Sequence, residues 1–515
     1  MPSHVVDHAA LWADGKYFAQ VPSFGKITPP PETLSVREIV FSVTKQLLGD
    51  SYTLNEDFVI EKPTDSEVYD ILTYALPILS EQSKFFWDRA ARTLGSMLAT
   101  AKYPIHAQTS HLVFWWARLG GINGPTIKGT SKEQLSEFTR DGSCVEFSWV
   151  IPSDTDPTAP ANRKIRFGID PFHPDLRTRL SGSIVTDYLW SEAGGMGIVS
   201  QKGGKDWRDK IEKWLFPNLE HPEQVVPGCT YFVGFDLEPS GNITLKHYYM
   251  PPAPDPNVEN AFKSATNRLT SDLSPFRAIV GDLHPSLTKP LDVLIDFLAN
   301  EGKDSGLLFA MVACDLKPLK DNRLKLYMWT PRHTLKQIIH NMTLGGKLKG
   351  PKYDADIADL TKLFKNLFPY AANDEDKELY SQHIIDDVPE AYQEEQPGRH
   401  DAGLLYYFEL FVDEPNPYPK VYFLMDFFGR NDLTTAQSVE GFLREVGKPG
   451  ESGWFPGDIA RACPHRDLAA RTGTQTGFSF GIKPKGWDVT GYYSPEVFRA
   501  AEEAEERLKK LNLKN

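Results

Sequence analysis

RLKLYMWT, residues 323–330, reads as a β-strand whose polar residues stand in a single row. Side chains alternate faces along a strand, so Arg323, Lys325, Tyr327 and Trp329 share one side, and Leu324, Leu326 and Met328 share the other. A lone strand of this kind would bury its leucines and leave its charges in water. The surrounding chain argues for the opposite orientation. The stretch is the second arm of a hairpin that starts with GLLFAMVACDL and turns through KPLKD.

The same unit recurs along the chain. GSCVEFSWVIP and RKIRFGID form a pair within 142–170; TYFVGFDLEP and NITLKHYYM form another within 230–250, joined by Ser240 and Gly241. GLLYYFELFVD and YPKVYFLMDF follow within 403–427, then TQTGFSFGIK and WDVTGYYSP within 474–495. The intervals carry amphipathic helical patterns, such as NAFKSATNRLTSDLSPFRAIV from 260 and LDVLIDFLANEG from 291. Five hairpins separated by helices do not suit a parallel doubly wound sheet, which needs single strands alternating with helices. The expected fold is α+β, a ten-stranded antiparallel barrel ringed by helices and built from five helix-helix-strand-strand repeats. Residues 1–110 are expected to form a helical segment packed on the barrel, and 111–515 the barrel itself. An open sheet with helices on one side and water on the other is the alternative.

Helices outside a barrel require an apolar outer face, which turns the charged rows toward the lumen. A ten-stranded barrel is wide enough to hold a ligand chamber there. The second arms place a base and a tyrosine two apart: Lys246 and Tyr248, Lys325 and Tyr327 after Arg323, Lys420 and Tyr422. The first hairpin adds Arg166 and the fifth Tyr492. Arginine forks and lysine ammonium groups suit phosphate oxygens, while tyrosine faces stabilise a nearby cation. Such a pairing fits an allylic diphosphate, which separates into an anion and a carbocation.

The net charge of −13 over 515 residues opposes a nucleic-acid or anionic-membrane partner. Cys144, Cys229, Cys314 and Cys463 are widely spaced, which suggests neither a disulfide framework nor a zinc site. MPSHVVDHAALWADGK lacks the basic and apolar regions of a secretion signal, and no apolar run reaches membrane length, so a soluble cytoplasmic protein is expected. The chain has no GxxxxGK[ST] or HExxH pattern. LGGINGPTIKG, 119–129, is glycine-rich but lacks phosphate-loop spacing and reads as a connection into the first strand. Asp386, Asp387 and Glu390 of IIDDVPE lie in an acidic stretch that reads as a surface insertion across 373–402, so no metal site is expected.

These features resemble the fungal aromatic prenyltransferases of the dimethylallyltryptophan synthase type. The resemblance runs from FWWARLGGINGP (114–125) to GYYSPEVF (491–498) and rests on DGSCVEFSW, IRFGIDP, LKHYY, RLKLYMW, KVYF with GRND, and TGFSFGIK with TGYYSP, in order on successive hairpins. It implies that Arg166, Lys246, Arg323, Lys325 and Lys420 hold the diphosphate, with five cations neutralising it and no cofactor or metal. It implies that Tyr248, Tyr327, Tyr422 and Tyr492 shield the allyl cation, and that Glu146 is catalytic, accepting a hydrogen bond from the acceptor. The partners implied are dimethylallyl diphosphate, or a longer prenyl diphosphate, and a small aromatic acceptor, with the protein a monomer or homodimer. Two departures stand out. Asp488 lies four residues before Tyr492, where the family often has a second tyrosine; TYFVGFDL lacks the basic residue of tryptophan-specific members. A phenolic or polycyclic acceptor therefore stands beside an indole. A non-catalytic barrel that retains an anionic ligand is the second reading.

Overall fold

All five hairpins form, each at the position its turn residues indicate. In the computed structural model β1 (Val145–Pro152) pairs with β2 (Lys164–Ile169), β3 (Thr230–Leu237) with β4 (Ile243–Met250), and β5 (Leu308–Asp315) with β6 (Arg323–Thr330). β7 (Leu404–Phe411) pairs with β8 (Tyr418–Phe423), and β9 (Gln475–Ile482) with β10 (Trp487–Tyr493). The structure describes residues 16–21, 27–50, 52–126, 136, 138–139, 141–154, 163–175, 178–199, 204–217, 230–251, 270–301, 305–379, 403–428, 430–448 and 450–499.

Every strand is antiparallel to both neighbours, and β1 pairs with β10, which closes the sheet. Closure removes the unpaired edges that an open ten-stranded sheet would present. Gly241 takes φ +88° in the turn between β3 and β4, a conformation that costs glycine little. Among the described residues, two helices of eight residues or more stand before each later hairpin: Gly182–Leu189 and Lys205–Leu215, Phe276–Leu283 and Thr288–Asn300, Leu335–Met342 and Pro351–Leu367, then Asp432–Glu445 and Trp454–Ala462, the last pair following the short Met425–Phe428. Among the described residues, five α-helices, from Val36–Leu48 to Ile105–Phe114, precede β1. The first part of the helical pattern from residue 260, up to residue 269, lies outside the described residues. Residues 270–275 form bends and turns, and the helix begins only after Pro275, whose ring disfavours helical geometry at Ser274.

The barrel wall separates two apolar regions. Leu324, Leu326 and Met328 belong to the large outer core, together with helix residues such as Leu291, Phe297, Leu360 and Phe364. Phe232, Met311, Ala313, Tyr327, Tyr407 and Tyr422 form a second cluster on the opposite face. The open-sheet alternative is thereby excluded, and the opening strand turns its basic row inward. Gly120–Ile122 is a short 3-10 turn leading toward β1, as expected of a connection. Asp386, Asp387 and Glu390 lie outside the described residues. Among those described, no helix is long and apolar enough to cross a membrane, and no three His, Cys, Asp or Glu side chains converge to hold a metal ion.

Packing on the outer face is what fixes the register, because a one-residue slip of β6 would exchange its two rows. Leu326→Ala is therefore expected to destabilise the fold by about 2–5 kcal/mol in urea unfolding. A change near zero would place Leu326 in the lumen.

Candidate active site

The lumen is built by strand parity. Lys246 and Tyr248 on β4, Arg323, Lys325 and Tyr327 on β6, and Lys420 and Tyr422 on β8 lie on one face, joined by Arg166 on β2 and Glu146 on β1. All sequence-predicted site residues come together inside the barrel. The charged residues form one layer and the tyrosines the next. Ring centroids of Tyr248 and Tyr327 are 6.3 Å apart, those of Tyr327 and Tyr422 6.2 Å, and those of Tyr422 and Tyr492 5.5 Å. Tyr407 on β7 completes this layer, 5.2 Å from Tyr327 and 5.8 Å from Tyr422. Sequence reading passed over it, although it lies two places before Glu409 on the same face.

The five cations do not stand bare in the lumen. Each already faces a carboxylate, because burying bare cations would cost several kcal/mol apiece. Asp236 on β3 pairs with Arg166 at 3.2 Å and with Lys246. Asp315 on β5 pairs with Arg323 and Lys325, both at 2.8 Å, and Glu409 on β7 takes a second arm of Arg323 at 2.7 Å. Asp488 on β10 meets Lys420 at 3.0 Å. Its position explains the missing tyrosine: a carboxylate in the charged layer replaces a ring. Lys420 also donates to Thr490 Oγ1 at 3.0 Å.

Burial favours the neutral form of every one of these groups, but the facing cations overcome it for the acids. Asp236, Asp315, Glu409 and Asp488 are all held below the ordinary carboxylate range by Arg166, Arg323, Lys420 and their neighbours. Lys420 behaves differently. Its ammonium is almost fully buried, and desolvation, only partly offset by Asp488, lowers its pKa to about 8.

Glu146 stands apart from the ring of charge. The strand presents it between Val145 and Phe147, which pack into the outer core, so its carboxylate faces the lumen. Thr476 Oγ1 donates to its Oε1 at 2.5 Å. Burial raises its pKa to about 7, against a smaller lowering by that hydrogen bond. Gly168, paired with Glu146 across the strands, has Phe138 in the place a side chain would fill. Phe138 stacks on Phe232 with centroids 3.8 Å apart, giving the carboxylate an aromatic neighbourhood.

A family model described as tryptophan dimethylallyltransferase matches residues 82–454. The chain belongs to that family. Among its relatives, 7-dimethylallyltryptophan synthase of Aspergillus fumigatus is 24% identical over 84% of this chain and 89% of its own length. Xanthone prenyltransferase B of Emericella nidulans is 24% identical over 88% of this chain and 96% of its own length. The crystal structure of AnaPT from Neosartorya fischeri superposes with a TM-score of 0.59, at 17% identity, over 84% of this chain and 98% of that one. The closed barrel with its surrounding helices is thus the fold of this family's solved members.

The residues that sequence reading missed in this family site are mainly acids. Asp236, Asp315 and Glu409 each sit alone in the apolar first arm of a hairpin, in GFDL, ACDL and FELF, two residues from a lumen-facing position. That isolation is a signal, since a strand embedded on both faces seldom carries an unpaired acid.

Glu146 gives a stability test of its own. Its folded pKa lies above its unfolded one, so it favours the folded state below about pH 4.5 and loses that contribution as pH rises through about 7. Glu146→Gln is expected to raise the melting temperature relative to the parent at pH 8 and to change it little at pH 4. Equal shifts at both values would show an unburied, ordinary carboxylate.

Proposed function

We propose that the barrel ionises an allylic diphosphate in its charged layer and delivers the prenyl cation, held by the tyrosine layer, to an aromatic acceptor beside Glu146. Membership of the family makes the chain an aromatic prenyltransferase. The observation that carries the finer reading is the stacking of a net-positive ring directly against an aromatic ring system in one lumen.

In this mechanism Arg166, Lys246, Arg323, Lys325 and Lys420 take the diphosphate oxygens as the C1–O bond breaks, and the bonding pair leaves with the diphosphate. The positive charge that remains on the prenyl group is stabilised by Tyr248, Tyr327, Tyr422 and Tyr492, whose neighbouring ring centroids lie 5.5 to 6.3 Å apart. The acceptor ring attacks the allyl carbon to form a carbon–carbon bond, then loses a ring proton to recover aromaticity. Glu146, as carboxylate, accepts a hydrogen bond from the acceptor's N–H or O–H and raises its nucleophilicity. Closed walls protect the cation from water. The ring supplies the countercharge that a bound metal would otherwise provide, which supports turnover without one.

The acceptor is an indole or a phenolic, polycyclic aromatic. The lumen face of β3 offers Phe232, Gly234 and Asp236 and no base, which supports an acceptor that needs no lysine beside it. Relatives named for tryptophan and for xanthone fit both classes.

Turnover is expected with dimethylallyl diphosphate in the presence of EDTA, read as diphosphate release and prenylated product over a panel of indoles, phenols and xanthones. Hydrolysis or binding with no prenylated product from any acceptor would favour the anion-retaining barrel instead. The pH profile follows from two groups. Glu146 must be ionised, so kcat/KM for the acceptor climbs through about pH 7; Lys420 must be protonated, so kcat/KM for the donor falls above about pH 8. Glu146→Gln removes the acidic limb and costs about a hundred-fold in kcat/KM.

A further inference from the structure

β9 breaks the alternation of its side chains at one place. Phe478 and Phe480 pack into the outer core, so Gly477, Ser479 and Gly481 face the lumen, and strict alternation would turn Thr476 outward with the phenylalanines. The register against β10 shifts there: Gly477 pairs with Tyr492 and Gln475 with the next residue, Tyr493, so Thr476 is an extra residue with no partner across the pair. A bulge of this kind re-aims the side chain it carries. The Thr476 hydroxyl reaches Oε1 of Glu146, 330 residues away in sequence.

We infer that Thr476 is a positioning residue for Glu146: it occupies one oxygen of the carboxylate and leaves the other turned to the acceptor. This role rests on the prenyl-transfer reading above. Among the described residues, Thr476 supplies the only hydrogen bond to the carboxylate, and Oε2 accepts none. The neighbouring elements surround Glu146 with apolar or aromatic groups. β2 places Gly168 opposite it with Phe138 above, and β1 sends Val145 and Phe147 into the outer core. From β10, the titratable group near enough to feel its charge is Tyr492. The direction of the carboxylate is therefore set from β9.

The bulge is held from both sides. The Asp432 carboxylate accepts from the backbone of Thr474 at 3.0 Å and of Gln475 at 2.8 Å, and the Ser494 N–H donates to Thr474 O at 2.7 Å, while from Gly477 onward β9 is paired in the sheet. Support of this kind is what keeps a site side chain in one geometry. Thr476 is buried, so water does not compete for its hydroxyl. That hydroxyl has one proton to give. Given to the ionised carboxylate it makes a charge-assisted bond, and given to the protonated form only a neutral one, so it favours the carboxylate that the acceptor's N–H or O–H requires. It thereby opposes the burial that pushes Glu146 up to about 7. With Oε1 engaged, the lone pairs of Oε2 are left for the acceptor, which places the acceptor's donor atom on one side of the carboxylate.

The test is the pH profile of kcat/KM for a prenylated acceptor in the full-length protein, with infrared titration of the Glu146 carboxyl alongside, isolated by difference from Glu146→Gln in protein carrying isotope-labelled glutamate. Thr476→Val removes the hydroxyl and keeps the β-branched outline. It is expected to move both the acidic limb and the carboxyl titration up by about one pH unit and to lower kcat/KM for the acceptor at pH 7 about ten-fold, with the KM for dimethylallyl diphosphate unmoved. Thr476→Ser, which keeps the hydroxyl, restores the parent profile. Should the valine variant not fold, Thr476→Ala answers the same question. An acidic limb and a carboxyl titration that stay at the parent's values overturn the positioning role while the function stands. A parent protein that prenylates none of the indoles, phenols and xanthones overturns the function and this role with it, whatever the titration shows.

Discussion

The structure depends on one electrostatic constraint: the cations inside the barrel are buried, and their charge has to be balanced there. Bare, they would shed their protons or destabilise the fold, since the desolvation of each costs several kcal/mol. The chain meets this with acids on neighbouring strands, each one hydrogen-bond register away. Lys246 and Asp315 sit directly opposite across β4 and β5, as do Lys325 and Glu409 across β6 and β7, and Arg166 and Asp236 across β2 and β3. From β2 to β8 the strands therefore alternate in charge. Under the proposed function an incoming diphosphate would trade partners within this run and would not have to create a charged site.

Closure brings the two ends of this run together. The first and last hairpins meet through β1 and β10, where Ser148 lies opposite both Arg166 and Tyr492, so the charged and aromatic layers run on past the seam. The seam is secured from outside the lumen. The Asp432 carboxylate at the start of a helix accepts from the backbone of Thr474 and Gln475 at the entrance to β9, at 3.0 and 2.8 Å. Glu496, just past β10, is paired with Arg466 at 2.6 Å and with His465 at 2.9 Å. The outer core then presses the helices on a wall whose inner face remains polar and aromatic. Catalytic geometry and fold stability are thus borne by opposite faces of the same strands.

Much of this was legible because hairpin repetition leaves marks that single strands do not. Arg323, Lys325 and Tyr327 on one strand carry no direction by themselves; matched rows in Lys246 with Tyr248 and Lys420 with Tyr422 point them inward. Strand ends were clear from Ser240 and Gly241 or from KPLKD, since turns advertise themselves in glycine, proline and aspartate. The acids were harder to see. Asp315 and Glu409 occur in first arms, paired across strands to bases up to 84 residues away in sequence, and no local spacing reveals a cross-strand partner. Asp488 read as a lost tyrosine because the resemblance supplied the wrong comparison; its true counterpart is Lys420 across the barrel wall. Tyr407 was hidden by its neighbour Tyr406, which faces the outer core, so that only the register tells the two apart.

The central claim is spatial: the diphosphate sits in the ring and the prenyl chain among the tyrosines. It is tested most directly by a crystal structure with the non-ionising thiolodiphosphate analogue of dimethylallyl diphosphate. The account predicts phosphate oxygens within hydrogen-bond distance of Lys246, Arg323 and Lys325, and the prenyl carbons enclosed by Tyr248, Tyr327 and Tyr422. An analogue bound outside the barrel, or held in the lumen with its diphosphate away from these cations, would contradict it.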